Sequence, residues 1–164
     1  MYSKHSGDIF RRRGFTLIEI LIVIGIIAVL AAIVIVAINP SKQFAQARNT
    51  QRQANVETIL NAIGQRMADN KGVFAGTLGG VTCPALPTTS THIDSVSGGA
   101  GVDLSCLAPT YVATLPMDPD PTYAVAPYIG YDVNVDVNGR TTVCAPQAAN
   151  ELSIPGHASI CVTR

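Results

Sequence analysis

From Ile20 to Ile38 every residue is apolar or Gly, a run of 19 positions. At about 1.5 Å per residue a helix of that length matches the ~30 Å hydrocarbon core of a bilayer. The run is preceded by Arg11-Arg12-Arg13-Gly14-Phe15-Thr16-Leu17-Ile18-Glu19. The arginines mark the cytoplasmic side, and one carboxylate stands at the edge of the apolar segment. An ionised acid inside hydrocarbon costs roughly 2.5 to 3.5 kcal/mol on insertion scales, so Glu19 needs either the boundary or a positive partner. Simpler explanations fit less of this pattern. A secretory signal has an apolar stretch of about 7 to 15 residues and a small-residue cleavage triplet, and this run is longer and lacks the triplet. Arg12-Arg13 suggests a twin-arginine signal, against which Glu19 and the length of the run both argue. A plain anchor accounts for the span but not for the Gly-Phe junction or the acid.

On these residues the chain resembles the type IV pilin and type II secretion pseudopilin superfamily. The likeness is closest from Gly14 to about Ile38 and continues more loosely to about Asn70. It implies that a prepilin peptidase cleaves after Gly14 and methylates the new N-terminal residue, Phe15. It also implies that Glu19, fifth in the mature chain, acts in assembly. The physics of the junction agrees: cleavage at Gly14 creates an α-ammonium near an acid at the same helix end. One subunit's Glu19 can then pair with a neighbour's ammonium, offsetting desolvation of both at low dielectric. Many members carry Pro at the twenty-second mature position, which here is Val36. The segment Leu115-Pro116-Met117-Asp118-Pro119 resembles the Leu-Pro-x-Asp-Pro stretch of major pseudopilins and favours that branch over a pilus or competence pilin.

Of the 164 residues, 11 are Lys or Arg and 11 are Asp or Glu. Loss of a leader at residues 1–14 removes Lys4, Arg11, Arg12 and Arg13 against Asp8 alone, leaving a mildly acidic chain and no case for nucleic acid as the main partner. What remains is a transmembrane and filament-core helix at 15–38, an amphipathic continuation at 39–71, and a head at 72–164. Cys83, Cys106, Cys144 and Cys161 all lie in the head, which implies an exported compartment. Four thiols allow three connectivities. Sequential pairing closes the shortest loops, each crosslink contributing about 3 kcal/mol in the chain-entropy model; the alternative is free thiols in a weakly oxidising envelope. Zinc is disfavoured, because neither Cys-x-x-Cys nor paired His spacing occurs.

The expected fold class is α+β: a long N-terminal helix whose second half packs on a small C-terminal antiparallel sheet. Val56, Ile59, Leu60, Ile63 and Met67 recur at helical spacing on one stripe, with Gln51, Arg52, Asn55, Thr58 and Arg66 expected on the opposite, polar face. Asn39-Pro40 predicts a kink or short break, and Asn70-Lys71-Gly72 a helix stop. The Gly-, Ser- and Thr-rich stretch from Val73 to Ser105 reads as a surface loop. A short helix or turn is expected near Leu104 to Val112. Tyr131 to Val137 alternates strictly, with Tyr131 and three valines on one face; Asn138-Gly139 predicts a two-residue hairpin turn into Thr141 to Cys144. Ser159 to Thr163 is the expected third strand, bringing Cys161 near Cys144.

No catalytic set emerges: His92 and His157 lack a nucleophile partner, and His5 lies in the leader. Asn134, Asp136, Asn138 and Gly139 imitate the opening of a calcium loop, but Ala145 occupies the place of the terminal Glu, and a hairpin explains them better. Major pseudopilins hold calcium in their C-terminal loops, so the resemblance makes Asp118 and Asp120 calcium candidates, set against a Pro-rich turn with both acids solvated. No other cofactor is expected. The resemblance implies as partners the prepilin peptidase, copies of this chain and other pilin-like subunits, the cytoplasmic membrane, and an assembly platform with its ATPase. The head would stand outside the cytoplasm. A monomeric membrane-anchored binding module is the alternative from another class.

Overall fold

The computed structural model describes residues 14–164; residues 1–13, including Arg11 to Arg13 and His5, lie outside the described residues. The chain divides into two compact units, one ending at Pro40 and the other running Ser41–Arg164. In the first, helix α1 spans Leu17–Ile38, and none of its residues is buried. Thr16, in extended backbone, caps it by accepting the Glu19 N–H at 3.2 Å. Asn39 ends it in the left-handed region (φ 48°), a conformation that Asn tolerates better than most side chains. Pro40 then opens helix α2, Pro40–Asp69, where a missing N–H costs nothing in the first turn. The expected break thus falls on Asn39. Helix α2 stops as predicted: Lys71 and Gly72 take positive φ, and the Gly72 N–H bonds back to the Met67 carbonyl at 2.7 Å.

The head carries a two-stranded hairpin, β1 (Gly76–Leu78) with β2 (Val81–Cys83), and a five-stranded sheet. The larger sheet contains β3 (Thr91–Asp94), β4 (Val102–Asp103), β5 (Tyr128–Val135), β6 (Thr141–Ala145) and β7 (Ile160–Thr163), in the order β4-β3-β5-β6-β7. Only β3 and β4 pair in parallel. One face of the sheet, with Ile93, Ile129, Tyr131, Val133, Val143 and Ala145, meets the α2 stripe Val56, Ile59, Leu60 and Ile63 in a single apolar core. Burial of that one face against α2 is what stabilises these short strands, since each apolar side chain withdrawn from water contributes roughly 1.5 to 3 kcal/mol.

Three expectations change. The stretch Val73 to Ser105 is not a loop: it supplies β1 to β4, and Ile93 of β3 sits at the centre of the core. Its strands are two to four residues long, too short to show a hydrophobic period. The main hairpin also has a different register. Val135 pairs with Thr141, and the Asp136 N–H bonds to the Arg140 carbonyl at 2.9 Å, which leaves Val137, Asn138 and Gly139 as a three-residue loop. The cause is Asp136: its Oδ1 accepts the N–H groups of Asn138 and Arg140, both at 2.8 Å, while Gly139 takes the positive φ that such a loop needs. Val137 is consequently fully exposed at the tip instead of sharing the buried face. Finally, Arg52 and Arg66 are 0% and 1% exposed, although α2 was expected to turn them to solvent.

Candidate functional site

At the N-terminus of α1, Gly14, Phe15 and Thr16 lie outside the helix and are exposed. The Gly14–Phe15 bond therefore stands in non-helical backbone directly before the cap. Thr16 and Glu19 hold the positions of a Ser/Thr-x-x-Glu capping box, and the Thr16 half of that exchange is made. This is a signal the sequence contained: the cap and the acid are three residues apart. Glu19 also occupies the first turn, where the exposed amide dipoles favour an anion by about 0.3 to 1 kcal/mol. The helix beyond it is long and apolar enough to cross a membrane by length and composition.

The head contains a charged cluster that periodicity did not reveal. The Arg52 guanidinium meets both carboxylate oxygens of Asp118, Nε to Oδ2 at 2.7 Å and Nη2 to Oδ1 at 2.9 Å, while its Nη1 donates to Glu151 Oε1 at 2.6 Å and Asn49 Oδ1 at 2.9 Å. Arg48 completes the group by donating Nε to Glu151 Oε1 at 2.6 Å and Nη2 to Oε2. Burial works against a charged Arg52, but the hydrogen bonds it donates to Asp118 and Glu151 outweigh it and raise its pKa. Hydrogen bonding from Arg48 first, and from Arg52 after it, holds the Glu151 carboxyl below its ordinary value. Asp118 reaches this place because Gly130, at positive φ, leaves room: a Cβ there would lie 2.5 Å from the Cβ of Asp118. Beside it, Asn55 Nδ2 donates to the Tyr131 hydroxyl at 2.8 Å and the Met117 carbonyl at 3.0 Å, and burial pushes the Tyr131 pKa up to about 12.

Arg66 is held differently. Its Nε and Nη2 donate to the carbonyls of Phe74 and Gly76 at 3.0 and 2.6 Å, and the guanidinium lies 5.8 Å from the Phe74 ring. It pins the β1–β2 hairpin to the end of α2. A satisfied guanidinium can be buried where a bare one cannot, which is why two arginines enter the core from a helix face that reads as polar.

Of the two calcium candidates, Asp118 is buried and its oxygens face Arg52, so the Pro-rich turn does not leave it solvated; Asp120 is half-buried, and its backbone N–H bonds to Asp118 Oδ1 at 2.9 Å. A cation at this pair competes with a guanidinium already seated. Among the described residues no group of three or more His, Cys, Asp and Glu gathers as a metal site. Asp136 serves its own turn and pairs with Arg140 Nε at 2.9 Å. His92 lies on the outer face of the sheet, 2.8 Å from Asp132 Oδ1 and 4.4 Å from the Tyr128 ring, while His157 is exposed. Cys83 is bonded to Cys106, and Cys144 to Cys161 across β6 and β7.

The family model described as "Prokaryotic N-terminal methylation motif" matches residues 9–35. Those residues take in the Gly14–Phe15 junction, Glu19 and most of the apolar run. The match supports a type IV pilin-like subunit, a structural rather than an enzymatic role, and implies processing by a prepilin peptidase. No curated protein and no solved structure matches the chain.

Proposed function

We propose that this chain is a structural subunit of a type IV pilin-like filament. It is cleaved between Gly14 and Phe15, methylated on Phe15, held in the cytoplasmic membrane by α1, and assembled through that helix with Glu19 facing a neighbour's N-terminal ammonium. The observation that carries this is the methylation motif over residues 9–35 on a helix of 22 residues without one buried residue. An apolar surface that large needs a cover outside the chain, lipid before assembly and other subunits after it. Leu115 to Pro119 favours a type II secretion pseudopilin within the class, and the two disulfides suit a head outside the cytoplasm.

Intact-mass measurement of the membrane-extracted protein tests the processing. Cells with an active prepilin peptidase are expected to yield a chain that begins at Phe15 and carries one added methyl group. Retention of residues 1–14 there overturns the proposal. Growth of filaments in a strain lacking only the secretion machinery would move the protein from pseudopilin to pilus subunit.

A further inference from the structure

The membrane-spanning stretch ends at Ile38, and α2 opens at Pro40. Phe44, the fifth residue of α2, is 66% exposed. Two chain links and about one helical turn separate it from Ile38, so it stays within about 14 Å of the span's last residue at any angle taken at Asn39. The headgroup zone beyond the hydrocarbon is itself roughly 5 to 8 Å deep. The head closes on the same stretch of helix: Ala45 is fully buried, and Arg48, one turn past Phe44, is held by Glu151. Leu152, the next residue after Glu151, is 82% exposed. Phe44 and Leu152 thus flank one ion pair at the start of α2. The other large exposed apolar side chains of the head are tied elsewhere. Met117 accepts through its carbonyl from Asn55, about 16 Å further along α2. Val96 and Val125 lie in two loops joined by the bond from the Ser95 N–H to the Pro127 carbonyl. Val73 follows the end of α2, the Val81 carbonyl faces Arg66 in its last turn, and Val137 is at the tip of the β5–β6 hairpin.

We propose that before assembly this end of the head rests in the interfacial zone of the bilayer, with the Phe44 and Leu152 side chains inserted among the lipid headgroups on the non-cytoplasmic face. Continuity decides the occupant, because the chain that leaves the lipid at Ile38 carries Phe44 within its next six residues. Apolar side chains on an otherwise polar surface enter the headgroup and acyl boundary to a depth of about 5 to 10 Å. Charge does not draw the head there. Lys42, Arg48 and Arg52 are matched by Asp118, Asp120 and Glu151, and His157 adds a charge only when protonated. Burial of apolar surface is the attraction, so neutral phosphatidylcholine should serve as well as an acidic lipid, and salt should not release the head. Assembly then has to lift two apolar side chains out of the interface along with α1. The inference rests on the membrane reading of α1 and adds to it a contact between the head and lipid.

The test uses the full chain at one copy per phosphatidylcholine nanodisc, so that no second copy can cover the head. All four native cysteines are in disulfides, and an added cysteine therefore carries the label. One label goes on Ser153→Cys, beside Leu152. The other goes on Asn138→Cys, in the hairpin loop whose Gly139 lies by Leu60, about 24 Å along α2 from Phe44. Lipids with a nitroxide at headgroup depth are expected to quench Ser153→Cys several times more strongly than Asn138→Cys, at low and at high salt. Phe44→Ala with Leu152→Ala should bring the first down to the second, since two apolar side chains lost from the interface shift docking about tenfold or more. Both positions are exposed, so head melting temperature should not change. Equal quenching at Ser153 and Asn138, or quenching at Ser153 that survives the double substitution, overturns the contact. So does a Ser153 label that is shielded only when discs hold several copies, which would give this surface to a neighbouring subunit. A label on Ile27→Cys reports on the span separately. If a nitroxide deep in the acyl chains leaves it unquenched, the membrane reading falls and the contact with it; if it is quenched while Ser153 is not, the contact alone fails.

Discussion

Helices α1 and α2 reverse the usual relation between hydrophobicity and burial. The first has a mean hydropathy of 3.5 in its most apolar window and buries none of its 22 residues. The second is polar on average, yet it buries Val56, Ile59 and Ile63 together with Arg52 and Arg66. The lesson is that burial within a chain follows from where its partners lie. For α1 the proposed partners are lipid and neighbouring subunits, which suits a helix apolar throughout from Ile20 to Ile38. For α2 they are strands of the same chain, and carboxylates and carbonyls brought by those strands make even guanidinium groups burial-competent.

Substitutions that test the contrast differ in their expected effect on the head. Arg52→Met should be the most damaging, since it leaves Asp118 buried without its partner. Breaking such a pair costs about 3 to 5 kcal/mol, a drop of about 10 °C or more in the melting temperature for a unit of this size. A loss within 1 °C would show that the cluster is not what holds the Asp118 turn to α2. Next comes Cys144→Ser with Cys161→Ser, which opens a loop spanning 17 residues. A loss of about 3 kcal/mol is expected from the freed unfolded chain, and reduction of the wild type, which also opens Cys83–Cys106, should cost more.

Acid should weaken the same cluster more gradually. The Glu151 carboxyl lies below its ordinary value of 4.5, chiefly because Arg48 donates to it. A lowered carboxylate pKa contributes stability that is complete above the unfolded value and lost as pH falls through the folded one. Head melting temperature should therefore decline below about pH 4.5, and Glu151→Gln should flatten that decline while lowering stability at neutral pH. An unchanged slope would place the acid sensitivity elsewhere. The smallest effect on the head belongs to Glu19→Ala, for which no change in melting temperature is expected. The same variant should still insert and be cleaved, because its helix is more apolar, but it should enter filaments poorly for want of a partner for the neighbour's ammonium. Equal incorporation of fully processed Glu19→Ala would remove the charge pairing, and loss from the membrane would point to insertion instead.

Much of this was legible in the residues themselves. The apolar run, the Gly14–Phe15 junction and Glu19 needed no coordinates, because a bilayer imposes length and composition directly and a helix satisfies its own backbone. The same holds for the stop at Asn70 to Gly72 and for the alternation of Tyr131, Val133 and Val135, which are local signals of backbone geometry and period. Thr16 belongs with them, for its three-residue spacing from Glu19 was there to be noticed. Elsewhere local signals misled. Asn138-Gly139 reads as a two-residue turn, and the Asp136 carboxylate shifted the register by one. Arg52 lies 66 residues from Asp118 and 99 from Glu151, and β3 has one core side chain, Ile93. Sequence alone determined which segment is long and apolar enough to cross a membrane and which residues carry the methylation motif, since both are properties of a short stretch. Only the tertiary structure decided which charges are buried and which short strands form a sheet, because the energy of each depends on a partner that chain folding brings near and that no neighbouring residue announces.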